Sequence, residues 1–360
     1  MAGNWIYFNA PQGVSADTSI LLTDGSVLIH NADYPGNPGT GGTDWYRLTP
    51  DTNGAYENGS WSQAFNMATG RQFFASGVLR DARVFVIGGE WSNLFPQDKC
   101  SLGEIFDSST NTWSPMTKPS PTYDYISGDC PSCVMADGRV LVGGAFGPRT
   151  AIWDPASGNW TEAGLSFASG GAQTKKGNCD EESWALMPDG TVLAFSVEHP
   201  GTGQKYVPAL DRWVDTGPLQ NLVVTSIAGT DVSEVGPSVL VPDGRMLAIG
   251  GNGRTAFYTP GLNSTDPGTW TNGRNFPIDT GPLAPVGLMT VIDGPATLLP
   301  NGSVLCTAGK TYKDTFNGVS YWSNPSTFCL YDIAANSLSQ LADQLQPTTN
   351  TADTWTGCLL

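Results

Sequence analysis

Only 14% of the 360 residues are charged, yet carboxylates recur at one place, a few residues ahead of a repeated apolar segment. They are Asp17, Asp129, the run Asp180-Glu181-Glu182, Glu234 and Asp293, with Asp353 in the same relation to the last residues of the chain. The second copy of the segment is the exception and carries Phe73-Phe74 there. A second set follows the next apolar segment of each copy: His30 with Asp33, Glu90 with Trp91, Arg149, Glu198 with His199, Arg254, and Lys310 with Tyr312. Like charges gathered at one mouth raise each other's pKa, which suits general acid and base work. Oxygen ligands gathered in the same way suit a hard divalent cation, Ca²⁺ or Mg²⁺. The expected catalytic set is Glu181, Glu182, Glu234, Asp129 and Asp293, with His199 as proton shuttle and Arg254 holding an anionic oxygen. Asp129, Glu181, Glu234 and Asp293 are the expected cation ligands. Trp91, Glu90, His30, Arg149, Lys310 and Tyr312 are the expected substrate contacts. A single carboxylate at such a place caps loop amides as readily as it catalyses; the ring of them carries the expectation.

The elements that would position these residues follow from a repeat. Asp-Gly or Asn-Gly turns between two apolar strands occur in LLTDGSVLIH, CVMADGRVLVGG, WALMPDGTVLAF, VLVPDGRMLAIGG and TLLPNGSVLCTAG, and VLRDARVFVIGG is a sixth copy with Ala for Gly. The turn residues are Asp24, Asp81, Asp137, Asp189, Asp243 and Asn301, at steps of 57, 56, 52, 54 and 58 residues. Such pairs supply the positive φ of tight hairpins. A third strand follows a variable loop, and a fourth is opened by Trp61, Trp113, Trp160, Trp213, Trp270 or Leu338. Four short strands at a period of about 50 residues predict a β-propeller, because one such sheet cannot bury both its faces alone. Gly88-Gly89, Gly143-Gly144 and Gly250-Gly251 end the second strands, where bare backbone packs closely. In such a fold, residues before each first strand and after each second strand meet on one face.

These residues resemble the kelch repeat, and the version with Asp-Gly, Gly-Gly, Trp-Asp-Pro and Trp is similar to the propeller of the galactose oxidase and glyoxal oxidase group. The resemblance covers nearly the whole chain. It implies six four-stranded blades in a single domain over residues 1–360, with seven the alternative if the chain continues. Trp5-Ile6-Tyr7-Phe8 reads as a stray fourth strand and residues 355–360 as a stray first strand. The group's copper-radical chemistry implies two imidazole ligands, a tyrosinate and a Tyr cross-linked to Cys. This chain has two histidines in all, in the first and fourth copies, and no Tyr-His pair on a channel-facing strand, so no copper is expected.

A net charge of −16 argues against nucleic acid or an anionic membrane as partner. No apolar run is long enough to span a bilayer. The Cys130–Cys133 pair has no second pair to complete a zinc site and reads as buried thiols. Sequons at Asn58, Asn159, Asn263 and Asn301 allow an extracellular setting, with a soluble cytoplasmic one the alternative. No serine nucleophile elbow or phosphate loop is present. The expected function is therefore a non-redox lyase, isomerase or cyclase acting on a small molecule, without a cofactor or with a divalent cation. A lectin-like binding propeller is the alternative. The loops after the second strands differ in every copy, which favours one asymmetric site over several equivalent ones.

Overall fold

The structure, a computed structural model, describes residues 6, 10–11, 13–14, 16–31, 41–90, 92, 100–117, 128–166, 172–199, 201–219, 235–278, 288–289, 291, 294–313 and 320–341. Side chains 310–313 and 320–326 fall outside that description. The architecture is all-β, six four-stranded antiparallel blades of a β-propeller. The chain divides into two compact units, Ile6–Asp180 and Glu181–Leu359. The first holds three blades. Blade one is β1 (Ala16–Leu21), β2 (Val27–Asn31), β3 (Trp45–Thr49) and β4 (Ser60–Ala64). Blade two is β5 (Ala75–Val78), β6 (Val84–Ile87), β7 (Gly103–Asp107) and β8 (Thr112–Pro115). Blade three is β9 (Ser132–Val134), β10 (Val140–Gly143), β11 (Thr150–Trp153) and β12 (Trp160–Ala163), followed by a short hairpin of β13 (Leu165–Ser166) and β14 (Ala172–Gln173).

The second unit holds the other three blades. Blade four is β15 (Trp184–Leu186), β16 (Val192–Phe195), β17 (Gly203–Val207) and β18 (Arg212–Asp215). Blade five is β19 (Val235–Leu240), β20 (Met246–Gly250), β21 (Thr255–Thr259) and β22 (Thr269–Asn272). Blade six is β23 (Ala296–Leu298), β24 (Val304–Lys313), β25 (Ser320–Asp332) and β26 (Ser337–Gln340). Residues 5, 7, 8 and 355–360, expected as stray strands, lie outside the described residues. No described helix is long and apolar enough to cross a membrane.

Alternation decides how the blades stack. Successive strand residues point to opposite faces, and the second strands are buried on both. In blade two, Val84 and Val86 join Leu28 and Trp45 of blade one, while Phe85 and Ile87 join Val140, Val142 and Trp153 of blade three. In the second unit, Met246 and Ala248 join Leu193 and Phe195, and Leu247 and Ile249 join Val304 and Cys306. Each core thus lies between two blades. The fourth-strand Trp residues close the blades by cross-strand ring pairs: Phe106–Trp113 at 5.2 Å, Tyr206–Trp213 at 5.7 Å and Tyr258–Trp270 at 5.1 Å.

The turns show how each blade compensates its charge. The turn carboxylate accepts the amide two residues on, as Asp24 does from Ser26 and Asp243 from Arg245. Where that residue is Arg it also supplies the counter-charge, and Arg83 and Arg245 hold Asp81 and Asp243 below the usual carboxylate range. Where it is Ser or Thr, the cation comes from the third strand, four residues past the turn Asp in register: Arg47 opposite Leu28 and Lys205 opposite Leu193. Arg47 pairs with Asp24, and Lys205 lies 3.9 Å from Asp189. Blade six has the uncharged Asn301, with Ser303 two residues on and Leu330 at the third-strand position. Every charged turn receives one cation from one of two places, and the neutral turn receives none.

Candidate functional site

The best-defined group of strand-start residues lies in the first unit, where blades two and three begin. Gln72 and Glu90 exchange backbone hydrogen bonds, with Gln72 N–H donating to Glu90 O at 2.9 Å and Glu90 N–H donating to Gln72 O at 2.7 Å. Next to this bridge, Gly89 N–H donates to Gly128 O at 2.9 Å. The two bridges bring Phe73, Glu90 and Asp129 onto one short stretch of paired backbone. The Gly-Gly pair makes that approach possible. A Cβ on Gly89 would lie 2.7 Å from Gln72 O, and one on Gly88 would lie 2.7 Å from Cys130 Sγ and 2.9 Å from Gly128 O. Both glycines have positive φ, 75° and 95°, which L side chains rarely adopt.

The segment ahead of the bridge is anchored by a buried ion pair. Arg71 is fully enclosed, and its Nη2–H donates to Glu104 Oε1 at 2.9 Å. The same guanidinium donates to Thr69 O at 3.2 Å, to Gly88 O at 3.3 Å and to Leu102 O. Glu104 in turn accepts the amides of Ala68 at 2.8 Å and Thr69 at 3.1 Å. A buried charge pair is tolerable only when its remaining donors and acceptors are filled in this way. On the far side, Phe74 packs edge-on against His30 at 5.2 Å and against Trp45 at 5.9 Å. Phe73 sits between these fixed points with φ 52° and is 56% exposed.

His30 is part of that packing. It is fully buried, with Nδ1 3.2 Å from Asp17 Oδ2 and Nε2 3.0 Å from Gly42 O. Both ring nitrogens therefore face protein oxygens, and the ring packs at a 49° tilt against Trp45 at 4.9 Å. Asp17 reaches it from an irregularity in β1, where the register shifts between Ala16 and Ser19; such bulges re-aim a side chain at a strand end. Arg149 is bound to Glu162 through Nε at 3.0 Å and Nη2 at 2.8 Å, and Glu162 also accepts Gln173 Nε2 at 3.1 Å. Asp129 is half-buried beside Cys130, and burial together with that carboxylate pushes the Cys130 thiol up. Burial pushes Cys133 up to about 12, so both are protonated thiols at neutral pH.

In the second unit, Glu181 opens blade four in the left-handed region, φ 57°. The buried Glu182 accepts Trp184 Nε1–H at 2.9 Å. Ser183 Oγ accepts Ser238 N–H at 3.0 Å, which ties the start of β15 to the middle of β19. Arg254 is half-buried, its amide bonded to Asn252 Oδ1 at 3.1 Å. His199 is exposed, its amide donating to Ser196 Oγ at 3.1 Å and its carbonyl accepting Thr202. Trp91, Glu234 and Asp293 lie outside the described residues, as do the side chains of Lys310 and Tyr312, whose backbones pair with Ser323 and Tyr321. Of the described non-glycine residues with positive φ, Ala82, Asn111, Asp211 and Asn336 lie in turns, whereas Phe73 and Glu181 stand just before first strands. Phe73 is the site residue that a search for carboxylates passes over. The signal for it is an aromatic pair where alternation can bury only one ring.

No protein-family model matches the chain. Two curated galactose oxidases of Gibberella zeae are each 24% identical to it over 332 residues, covering 81% of this chain and 44% of theirs. The chain thus spans less than half the length of the curated relatives it matches. Among solved structures, a fungal alcohol oxidase of the AA5 family in complex with copper superposes with a TM-score of 0.59 at 16% identity, over 93% of this chain and 69% of that one. YjhT superposes with a TM-score of 0.52 at 14% identity, over 92% and 98%. The chain resembles the galactose oxidase propeller. These findings overturn the expectation of a non-redox lyase, isomerase or cyclase, since the relatives by sequence are oxidases, and they do not favour the lectin-like alternative.

Copper is the group those relatives bring into question. Among the described residues no three His, Cys, Asp or Glu side chains are placed to hold a metal ion. The two-imidazole set implied by the resemblance does not fit the histidines present. His30 has no ring nitrogen to offer, because both face protein acceptors inside the core, and His199 is the one other imidazole in the sequence.

Proposed function

We propose that this chain is an alcohol oxidase of the galactose oxidase type, acting on a sugar or another small polyhydroxylated alcohol. The observation that carries this reading is the galactose oxidase similarity, which runs through 81% of the chain. An oxidase of this class converts a CH–OH group to a carbonyl and passes two electrons and two protons to dioxygen, releasing hydrogen peroxide. What the residues of this chain supply is recognition of the alcohol. Carboxylates at the strand starts of the first unit, Glu90 and Asp129, accept hydrogen bonds from hydroxyl groups. His30 and His199 do not fit the two-imidazole copper set. The substrate is a small molecule, and an extracellular setting goes with this reading.

The test is peroxide release, coupled to a peroxidase, from galactose and from a panel of primary alcohols, with and without added Cu(II). Peroxide that depends on the alcohol supports the reading. Its absence from every alcohol, with or without the metal, sinks it.

A further inference from the structure

We propose that Phe73 is a ligand-stacking residue, held in a strained conformation so that its ring faces the apolar side of a sugar or alcohol whose hydroxyls bond to Glu90 and Asp129. The proposal rests on the alcohol-binding reading above and names how that binding is achieved. A bulky residue at φ 52° is an outlier in backbone space, and such strain persists only where the surroundings over-determine it. Here they do. Arg71, two residues before, is fixed by bonds to Glu104, Thr69, Gly88 and Leu102. Gln72 is held by both bonds of its bridge to Glu90, and Phe74 is wedged against His30 and Trp45.

The side chain gains nothing from packing in return. With 56% of its surface exposed, Phe73 leaves apolar area in water at a position where Gly would be relaxed and Asn would be tolerated. Neither the core nor the backbone calls for an aromatic ring there. The CH-rich face of a sugar does, because aromatic faces bury apolar area with little loss of rotamer freedom. The placement of polar groups agrees. Glu90 pairs with the residue before Phe73, and Asp129 follows Gly128, whose partner Gly89 precedes Glu90. An aromatic ring with two carboxylate-bearing residues on the paired backbone around it matches one apolar face and a rim of hydroxyls.

The experiment compares Phe73→Gly, Phe73→Ala and Phe73→Tyr with the wild-type chain by thermal melting and by calorimetric titration with galactose and the same alcohol panel. Removing both strain and ring, Phe73→Gly is expected to raise Tm by about 1–2 °C while weakening binding roughly ten-fold. Phe73→Ala should weaken binding equally without the gain in Tm, because it keeps the unfavourable φ, and Phe73→Tyr should bind as wild type does. A Phe73→Gly chain that melts lower, or that melts higher and binds undiminished, overturns the proposal. So does a wild-type chain that binds none of the panel. Binding that needs Phe73 but yields no peroxide would sink the oxidase reading and leave the stacking role standing.

Discussion

The approach of the segment after β6 to the segment before β5 can be tested by adding one methyl group. Gly89→Ala places a Cβ 2.7 Å from Gln72 O, 3.1 Å from Phe74 Cβ and 3.2 Å from Arg71 Cβ, on a residue with φ 95°. Two effects add. An alanine held in the left-handed region costs about 1 kcal/mol. The overlap with a backbone oxygen forces a shift of the kind that costs about 1–3 kcal/mol in tight interiors, and it pulls on the pair of bonds between Gln72 and Glu90. Gly54 separates the two effects, since it has φ 83° with nothing within 4 Å of its added Cβ. Gly54→Ala should therefore lower Tm by about 1–2 °C, and Gly89→Ala by roughly 3–5 °C on the same scale. Calorimetric melting gives the first comparison. Titration with galactose gives the second, and binding should weaken in Gly89→Ala alone, because Phe73 and Glu90 ride on the bridge it disturbs. Equal losses of Tm in the two variants, or undiminished binding in Gly89→Ala, would refute the claim that close approach at Gly89 builds the site.

Two further outcomes follow from the turns. Asp189→Asn leaves the enclosed Lys205 ammonium without the carboxylate 3.9 Å away and should cost about 3 kcal/mol, whereas Lys205→Leu leaves Asp189 still bonded to Thr191 and should cost about 1 kcal/mol. The double variant copies the Asn301 and Leu330 arrangement and should return to within about 1 kcal/mol of wild type; additive losses in urea denaturation would show that the two groups are not coupled. Ala82→Gly relaxes the one repeat turn that lacks Gly, at φ 70°, and should raise Tm by about 1–2 °C; a fall on melting would count against strain at that turn.

The blades were legible because each depends on short-range chemistry that the repeat spells out. Turn pairs set the positive φ, alternation sets which of Val84 and Phe85 faces which neighbour, and the Gly-Gly pairs mark a close approach. The site was less legible because its decisive contacts join residues that no local pattern links. His30 meets Asp17 and Gly42 O through a strand pairing and a loop, which turns an expected substrate contact into a buried residue with a protein oxygen beside each ring nitrogen. Arg149 is taken up by Glu162 across its own blade. Arg71 and Glu104 pair across 33 residues and announce themselves by no motif. The reaction type was misread because carboxylates at strand starts fit many chemistries, and one scaffold carries many of them.

The strand starts and the blades answer to different demands. A blade residue is judged by how it packs: Val84 or Phe85 must fill a space between two sheets, and the turn glycines must take a φ that other residues resist. Exposed strand-start residues such as Phe73 face no such requirement, so a scaffold can keep its blades and change the chemistry they display. That separation accounts for a chain similar to galactose oxidase over most of its length whose histidines do not make a two-imidazole metal site. It also makes backbone strain informative. A residue selected only for stability would relax at Phe73, where φ 52° and an exposed ring both work against the fold. The aromatic ring therefore has to be explained by what meets it from solution, and a variant that stabilises the chain while weakening its ligand is the result that this explanation requires.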